Sequence, residues 1–404
     1  MPSIILSILS LLPLIIFTRL YLYQESRKTP PGCRRIGLTP AQSNLHDEYD
    51  SQYSQGVPEG QHDATGQPAW RIKALFTYPI KSCGAVELHT TDVVSTGLAF
   101  DRQFCFAEYV PAAAAGNDVH WTARTLRDRR FNRMALVRPE IWVPDPTMDG
   151  YTTDLEEVKS QGVMVITYPR VYPGLLMKVG MALGVVPREH SFQVPLSPPP
   201  DRVASYPCLP VKIWKDSPVA YDYGQHIPQS LREYLGPGPG SGPGSRPLLT
   251  LFRVNPSHHR EIFRCAPRKN DVGFQTVTGF ADAYPIHLLN LASVRDVAAR
   301  CAADIPRLSI RRFRANIIIQ GPGAFEEDHW KRIVVGSKGD GVEIFTVCRT
   351  VRCRLPNVDP DTGVRHPSEP DRTLKRYRKI DRGDLTNACL GMQLVPAVQS
   401  EFCN

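Results

Sequence analysis

The chain has 404 residues, 42% of them hydrophobic, which is enough for two ordinary domains with real cores and excludes a chain that is disordered throughout. Its 48 lysines and arginines exceed its 40 acidic residues, for a net charge of +8 and a pI near 9.0, a balance that suits a nucleic acid, an anionic membrane or an anionic cofactor alike. The basic runs RTLRDRR (124–130) and IRRFR (310–314) sit inside apolar periodic text, which favours a buried anion site over a nucleic-acid face.

In chain order, the first feature is IILSILSLLPLIIF (4–17), almost purely apolar and extended by TRLYLY to about 20 residues, the span of a bilayer helix. No basic residue precedes it, Arg19, Arg27 and Lys28 follow it, and no small-residue cleavage site is present. Residues 1–28 therefore read as a membrane anchor that leaves the rest of the chain in the cytosol. Residues 29–68, rich in Pro, Gly, Ser, Asp and Gln and without a period, read as a flexible tether.

From Trp70 the text alternates in short strands: WRIKALFT, VELHTTDVVSTGLAFDRQFCFAEY, VHWTAR, ALVRPEIWV, VMVITYP and LPVKIWKD. Their spacing predicts an antiparallel, barrel-like unit over 69–236, with a short helix at IPQSLREYLG stopped by Gly236. PGPGSGPGSRP (237–247) is a loop that no core could use and marks a boundary or a surface insertion. In the second unit, 248–397, LLTLFRV, RRFRANIIIQG, WKRIVVG and GVEIFTVCRTVRCRL read as strands. The best helix start lies among them, with Asn290 as N-cap and Val294, Val297, Ala298 and Cys301 at i, i+3, i+4 and i+7. The class is β-rich α+β.

Ten cysteines without a CxxC pair are unlike a disulfide scaffold and fit a reducing compartment. Cys348 and Cys353 are five apart in strand text, which sends them to opposite faces, so both cannot bind one ion without a bend. Either is a small core residue or one is a ligand, and Cys353, between Arg352 and Arg354, has the charges that favour a thiolate. One soft ligand without histidines cannot complete a zinc site; it makes sense where an organic cofactor brings further sulfurs. Lys81 and Ser82 in YPIKS, Arg102 in FDRQF, and Thr122 and Arg124 in HWTAR form a basic group that reads as a phosphate site or as solvated barrel ends. Asn290 and Ser293 stand at a helix N-terminus that can cap itself or receive an anion. Arg314 and Asn316 would share one strand face.

Together, YPIKSCGAVEL, TGLAFDRQF, HWTAR, FRANIIIQGPGAFEEDHW and RCRLPNVDPDTG followed by EPDRTLKRYRK resemble the MOSC superfamily, in particular the mitochondrial amidoxime reducing component proteins, over about residues 69–397. The resemblance implies a MOSC N-terminal β-barrel domain and a MOSC β-barrel domain with peripheral helices. It implies a molybdenum-molybdopterin cofactor, with Cys353 as metal ligand and catalytic residue and with Lys81, Ser82, Arg102, Asn290, Ser293, Arg314 and Asn316 at cofactor-binding positions. Cys348 does not match, a second family cysteine falls at Thr350, and Arg354 replaces an apolar residue. The implied reaction is reduction of small N-hydroxylated substrates, amidoximes or hydroxylamines, with electrons from cytochrome b5 and cytochrome b5 reductase, since neither a nucleotide fingerprint nor an iron-sulfur cysteine run is present. The implied place is the mitochondrial outer membrane facing the cytosol, with the endoplasmic reticulum as the other membrane that the N-terminus suits. A cofactor carrier is the alternative function; nucleic acid is not an expected partner.

Overall fold

A computed structural model describes residues 29–54, 70–111, 120–170, 174–184, 186–236, 248–336 and 341–397, with three isolated positions besides. The expected anchor over 1–28 lies outside the described residues, Thr18 apart, and among the described residues no helix is long and apolar enough to cross a membrane.

The chain divides into two compact units. The smaller takes residues up to Ile36, Val137–Tyr206 and His226–Tyr234. Its centre is an antiparallel sheet in the order Cys33–Ile36, Arg138–Pro144, Val163–Pro169, Glu189–Pro195. The Val163–Pro169 strand buries alternate residues, as a strand with one covered face must. Cys33–Ile36 pairs with Arg138–Pro144, so this part of the expected tether is an edge strand.

The larger unit holds a closed five-stranded barrel and a seven-stranded sheet. The barrel runs Cys208–Lys212, Val219–Asp222, Leu249–Val254, Phe104–Val110, His120–Ala123 and back. Cys105, Ala107, Val211, Ala220, Phe252 and Val254 fill it. Because Val219–Asp222 pairs with Leu249–Val254, residues 237–247 fall between two paired barrel strands.

The seven-stranded sheet runs Arg332–Val335, Val342–Val351, Cys389–Pro396, Ile286–Asn290, Ile317–Gln320, Arg71–Thr77, Val86–Leu88. The β-rich class stands, but the strands expected to close a second barrel make this open sheet, and it takes its last two strands from the N-terminal part of the chain. Its strands are apolar on both faces, Leu289, Ile318, Ala74 and Phe76 toward one cluster and Leu288, Ile317, Ile319 and Leu394 toward another, because both faces are covered. The parallel pair of this sheet, Ile286–Asn290 with Ile317–Gln320, is joined through the Leu291–Arg300 helix. That helix buries Val294 and Val297 as its period required, with Cys301 at its end.

Residues 37–54 are also folded. Glu48, 3% exposed, accepts from the Ile310 amide at 2.8 Å, and Asp47 pairs with Lys73 at 2.8 Å. The Tyr49 ring carries Arg307 at 4.4 Å. Ionic and aromatic contacts hold this segment, which is why hydrophobic periodicity missed it.

Candidate cofactor site

The site grows from a turn. After the Arg71–Thr77 strand, Pro79 ends the ladder and the chain turns through Lys81 and Ser82, the latter left-handed at φ 67°. The Lys81 amide donates to Phe104 O (2.8 Å) and the Arg102 amide to Tyr78 O (2.8 Å), tying the turn to the segment before the Phe104–Val110 strand. Gly279 closes the third side: a Cβ there would sit 2.9 Å from the Arg102 carbonyl oxygen, so only glycine lets the strands approach.

Asp101 is the hub. One carboxylate oxygen accepts from the Tyr78 amide (2.9 Å) and Asn316 Nδ2 (2.9 Å), the other from Arg102 Nη1 (2.5 Å). Arg102 also donates to Asn316 Oδ1 (2.9 Å) and to the Arg314 carbonyl (3.0 Å). Burial opposes the Arg102 charge, but Asp101 more than restores it and its pKa is raised. Asn316, fully buried, spends its amide on Asp101, Phe76 O, Arg102 and the His287 amide, so it aims Arg102 and has nothing left for a ligand.

Lys81 is 3% exposed and donates to Phe280 O (2.9 Å) and Asp282 Oδ1 (2.5 Å). Burial pushes its pKa down against the pull of Asp282. Asp282, half-exposed, also accepts from Trp214 Nε1 at 3.2 Å. Burial opposes its ionisation, but Lys81 outweighs that and holds its carboxyl well below the usual range. Arg314 stacks on Tyr78 at 4.2 Å and donates Nη1 to Cys83 O at 2.6 Å, while its buried Nη2 has no partner. Burial lowers the Arg314 pKa.

Arg314 and Asn316 do not share a strand. Ser309 caps a 3-10 turn over Ile310–Phe313, Arg314 ends it at φ 57°, and the strand begins only at Ile317. The expectation from RRFRANIIIQG read one period through two local structures.

Cys353 likewise lies past its strand, which carries Cys348 but ends at Val351 after two register shifts. Cys348 is half-buried, and burial pushes its thiol up to about 11. Cys353 is partly exposed. Two routes tie its loop to the basic turn. Arg352, 8% exposed, reaches His287 Nε2 (3.3 Å) and Phe313 O (3.0 Å), and the His287 backbone is bonded to Asn316. Arg365 donates to the Arg354 carbonyl (2.9 Å) and to Leu126 O, and the Leu126 amide donates to Ser82 Oγ (3.2 Å). The Cys353 sulfur lies in the field of both Arg352 and Arg365. Arg354 turns to Asp371 at 3.5 Å, so the expected flank of two arginines becomes Arg352 with Arg365. Asp359 of DPDTG caps Asp361 and Thr362 and pairs with Arg312 at 2.6 Å; Gly363 is left-handed at φ 68°, so the segment is a rigid turn.

Asn290 and Ser293 stand apart. Asn290 caps its helix through Ala292 N (3.1 Å) and donates to Gly323 O (2.8 Å) and Glu327 Oε2 (3.1 Å). Ser293 donates to Glu327 Oε1 at 2.7 Å. Both are fully buried, and Asn290 pairs with Ile319, three residues along the strand direction from Asn316, about 10 Å away. The structure groups Lys81, Ser82, Arg102, Arg314, Asn316 and Cys353 and leaves these two in a separate capping cluster.

Reading residue types alone found Arg352 beside Cys353 but missed Asp101, Asp282, Trp214, His287 and Arg365. Asp101 had a signal, a charge adjacent to a candidate in apolar text. The rest come together only by folding. Lys81, Arg102, Arg314 and Arg352 face the two carboxylates of Asp101 and Asp282, so the cluster carries excess positive charge with a spare guanidinium nitrogen. That composition suits a phosphate-bearing anion. Among the described residues no three His, Cys, Asp or Glu side chains are grouped to hold a metal ion.

Residues 69–168 match the MOSC N-terminal beta barrel domain and residues 275–393 match the MOSC domain. The chain is a MOSC-domain protein. Mitochondrial amidoxime-reducing component 1 of Mus musculus is 39% identical to this MOSC-domain protein over 102 residues, 25% of this chain and 28% of that protein. Component 2 of Rattus norvegicus is 40% identical over 102 residues. The molybdenum cofactor sulfurase of Neosartorya fischeri is 25% identical over 345 residues, 78% of this chain but 36% of the sulfurase. The matched segment thus spans well under half the length of each of these curated relatives.

Proposed function

We propose that this MOSC-domain protein holds a molybdenum-molybdopterin cofactor, with Cys353 as its protein thiolate, and reduces N-hydroxylated compounds with electrons from cytochrome b5 and its NADH-dependent reductase. The single observation that carries the reading is the buried cation cluster with its unpartnered Arg314 Nη2, tied by two hydrogen-bond routes to a partly exposed cysteine. Lys81, Arg102 and Arg314 would hold the pterin phosphate; Ser82 and Asn316 fix their positions. Arg352 and Arg365 lie close enough to the Cys353 sulfur to interact with it electrostatically. His287, pushed well below the usual histidine range by burial and then by Arg352, stays neutral and keeps Arg352 in place. Bound here, the cofactor supplies a two-electron couple for breaking an N–O bond. The names of the mouse and rat relatives support amidoximes as substrates and a mitochondrial location.

The longer match to a sulfurase favours a second reading, a non-redox cofactor carrier. Full-length protein from a cofactor-competent host separates the two. Near-stoichiometric molybdenum is expected, and its absence overturns both. Benzamidoxime reduction in a chain reconstituted with cytochrome b5 and its reductase supports the reductase; molybdenum without turnover leaves the carrier. Cys353→Ser loses the metal and the activity, whereas Cys348→Ser keeps both; the reverse pattern overturns the ligand assignment.

A further inference from the structure

Between the Val163–Pro169 and Glu189–Pro195 strands of the smaller unit, the chain makes an excursion that carries the Leu175–Ala182 helix. Helices of soluble domains bury their apolar stripe, and this one exposes it. Leu175 is 79% exposed, Val179 48% and Leu183 68%, one stripe at i, i+4 and i+8. The inward side is held by Gly180, where a Cβ would meet Val186 at 2.8 Å. A contiguous exposed apolar stripe of this kind marks an interaction surface.

Charge identifies the partner. Residues 170–188, RVYPGLLMKVGMALGVVPR, contain Arg170, Lys178 and Arg188 and no acidic residue. Apolar side chains with basic residues at both ends and in the middle are the composition of a segment that lies in the headgroup layer of an anionic bilayer. A protein partner recognised by this surface would need its own carboxylates set around an apolar patch. A phosphatidylserine-type surface offers both everywhere. The apolar run ending at Phe17 is sixteen residues from Cys33 of the same unit, so an anchored chain holds Cys33 within at most ~55 Å of the membrane and raises the local concentration of lipid around this unit, where weak contact suffices.

We propose that the Leu175–Ala182 helix is a lipid-contact element that lays Leu175, Val179 and Leu183 into the interface of an anionic membrane, steered by Arg170, Lys178 and Arg188. This is independent of the cofactor reading. The test is amide hydrogen exchange of the full-length protein with phosphatidylcholine vesicles, with and without phosphatidylserine. Amides of 175–183 are expected to exchange about tenfold more slowly on the phosphatidylserine vesicles than on the neutral ones. The double variant Leu175→Ser/Leu183→Ser should lose that difference, and Lys178→Glu should reduce it, while strand amides of 163–169 stay as protected as before. Equal exchange on both vesicle types overturns the proposal. Protection without lipid that grows with protein concentration also overturns it, by assigning the stripe to a second copy of the chain.

Discussion

Strain and unmet polarity converge on the same few residues. Eight non-glycine residues among those described have left-handed φ, and four of them, Ser82, Arg102, Trp214 and Arg314, belong to the cation cluster. Each such conformation costs on the order of 1–3 kcal/mol and persists only where the surroundings impose it. Arg314 adds a buried nitrogen without a partner, a cost that an anion accepting from it would offset. Arg314→Met should therefore separate binding from stability. With the charged donor gone, cofactor retention should weaken by about 1.5–3 kcal/mol, or roughly tenfold to a hundredfold. The cofactor-free protein should shift by less than about 1 kcal/mol, because a costly buried charge leaves along with its bond to Cys83 O. Molybdenum per protein after dialysis and a urea midpoint for the cofactor-free form read the two quantities. A large stability loss with unchanged molybdenum would make Arg314 a purely structural residue.

At the level of elements, the Leu291–Arg300 helix shows a cap that serves the fold. Asn290→Ala removes the cap to Ala292 and the side-chain bonds to the Gly323 carbonyl and Glu327, which keep the Glu326 amide and Ser293 as their remaining donors, at an expected cost of about 1–3 kcal/mol. Urea unfolding measures it, and molybdenum content of the folded fraction should not change, since Asn290 stands about 10 Å from Asn316. Loss of metal at unchanged stability would return Asn290 to the cofactor site. This helix was legible because its signals are local: a capping residue and a 3.6-residue period. The barrel strands and the class were legible for the same reason. The partition of the sheet was not, because the Arg71–Thr77 strand pairs with Ile317–Gln320, and pairing across that sequence distance leaves no periodic trace. Of the site, the residue types in YPIKS, FDRQF and RCRL could be read directly. Which of them meet could not: Ser293 looks like an anion ligand in sequence and is consumed by Glu327 in the fold. The tether failed in the opposite direction, since Glu48 and Asp47 are polar in sequence yet bonded to buried partners.

For the whole molecule, burial sets the response to acid. His190, His226, His259 and His287 all have pKa values lowered by burial, with neighbouring arginines adding to the effect at His190, His259 and His287. A histidine kept neutral in the folded state but free to charge in the unfolded chain makes the unfolded state bind more protons. Stability is then full above the ordinary histidine pKa of about 6.5 and falls as pH drops toward the lowered folded value. His259 is the group with the widest resolved window, down to about 4, pushed there first by burial and then by Arg253. Its Nε2 is buried without a partner, in a groove that it lines with His258 and Glu261, so a proton there gains no new hydrogen bond. Complete exclusion of charge across that window would cost at most ~3 kcal/mol by pH 4, and partial exposure brings it to about 1–2 kcal/mol near pH 5. His259→Gln removes the proton but keeps a polar side chain of similar reach. Urea midpoints of the parent protein should therefore fall between about pH 7.5 and about pH 5, and the variant should fall by about 1–2 kcal/mol less. Equal slopes in the two proteins would mean that His259 takes up its proton within the fold, with the groove opening to water to admit it.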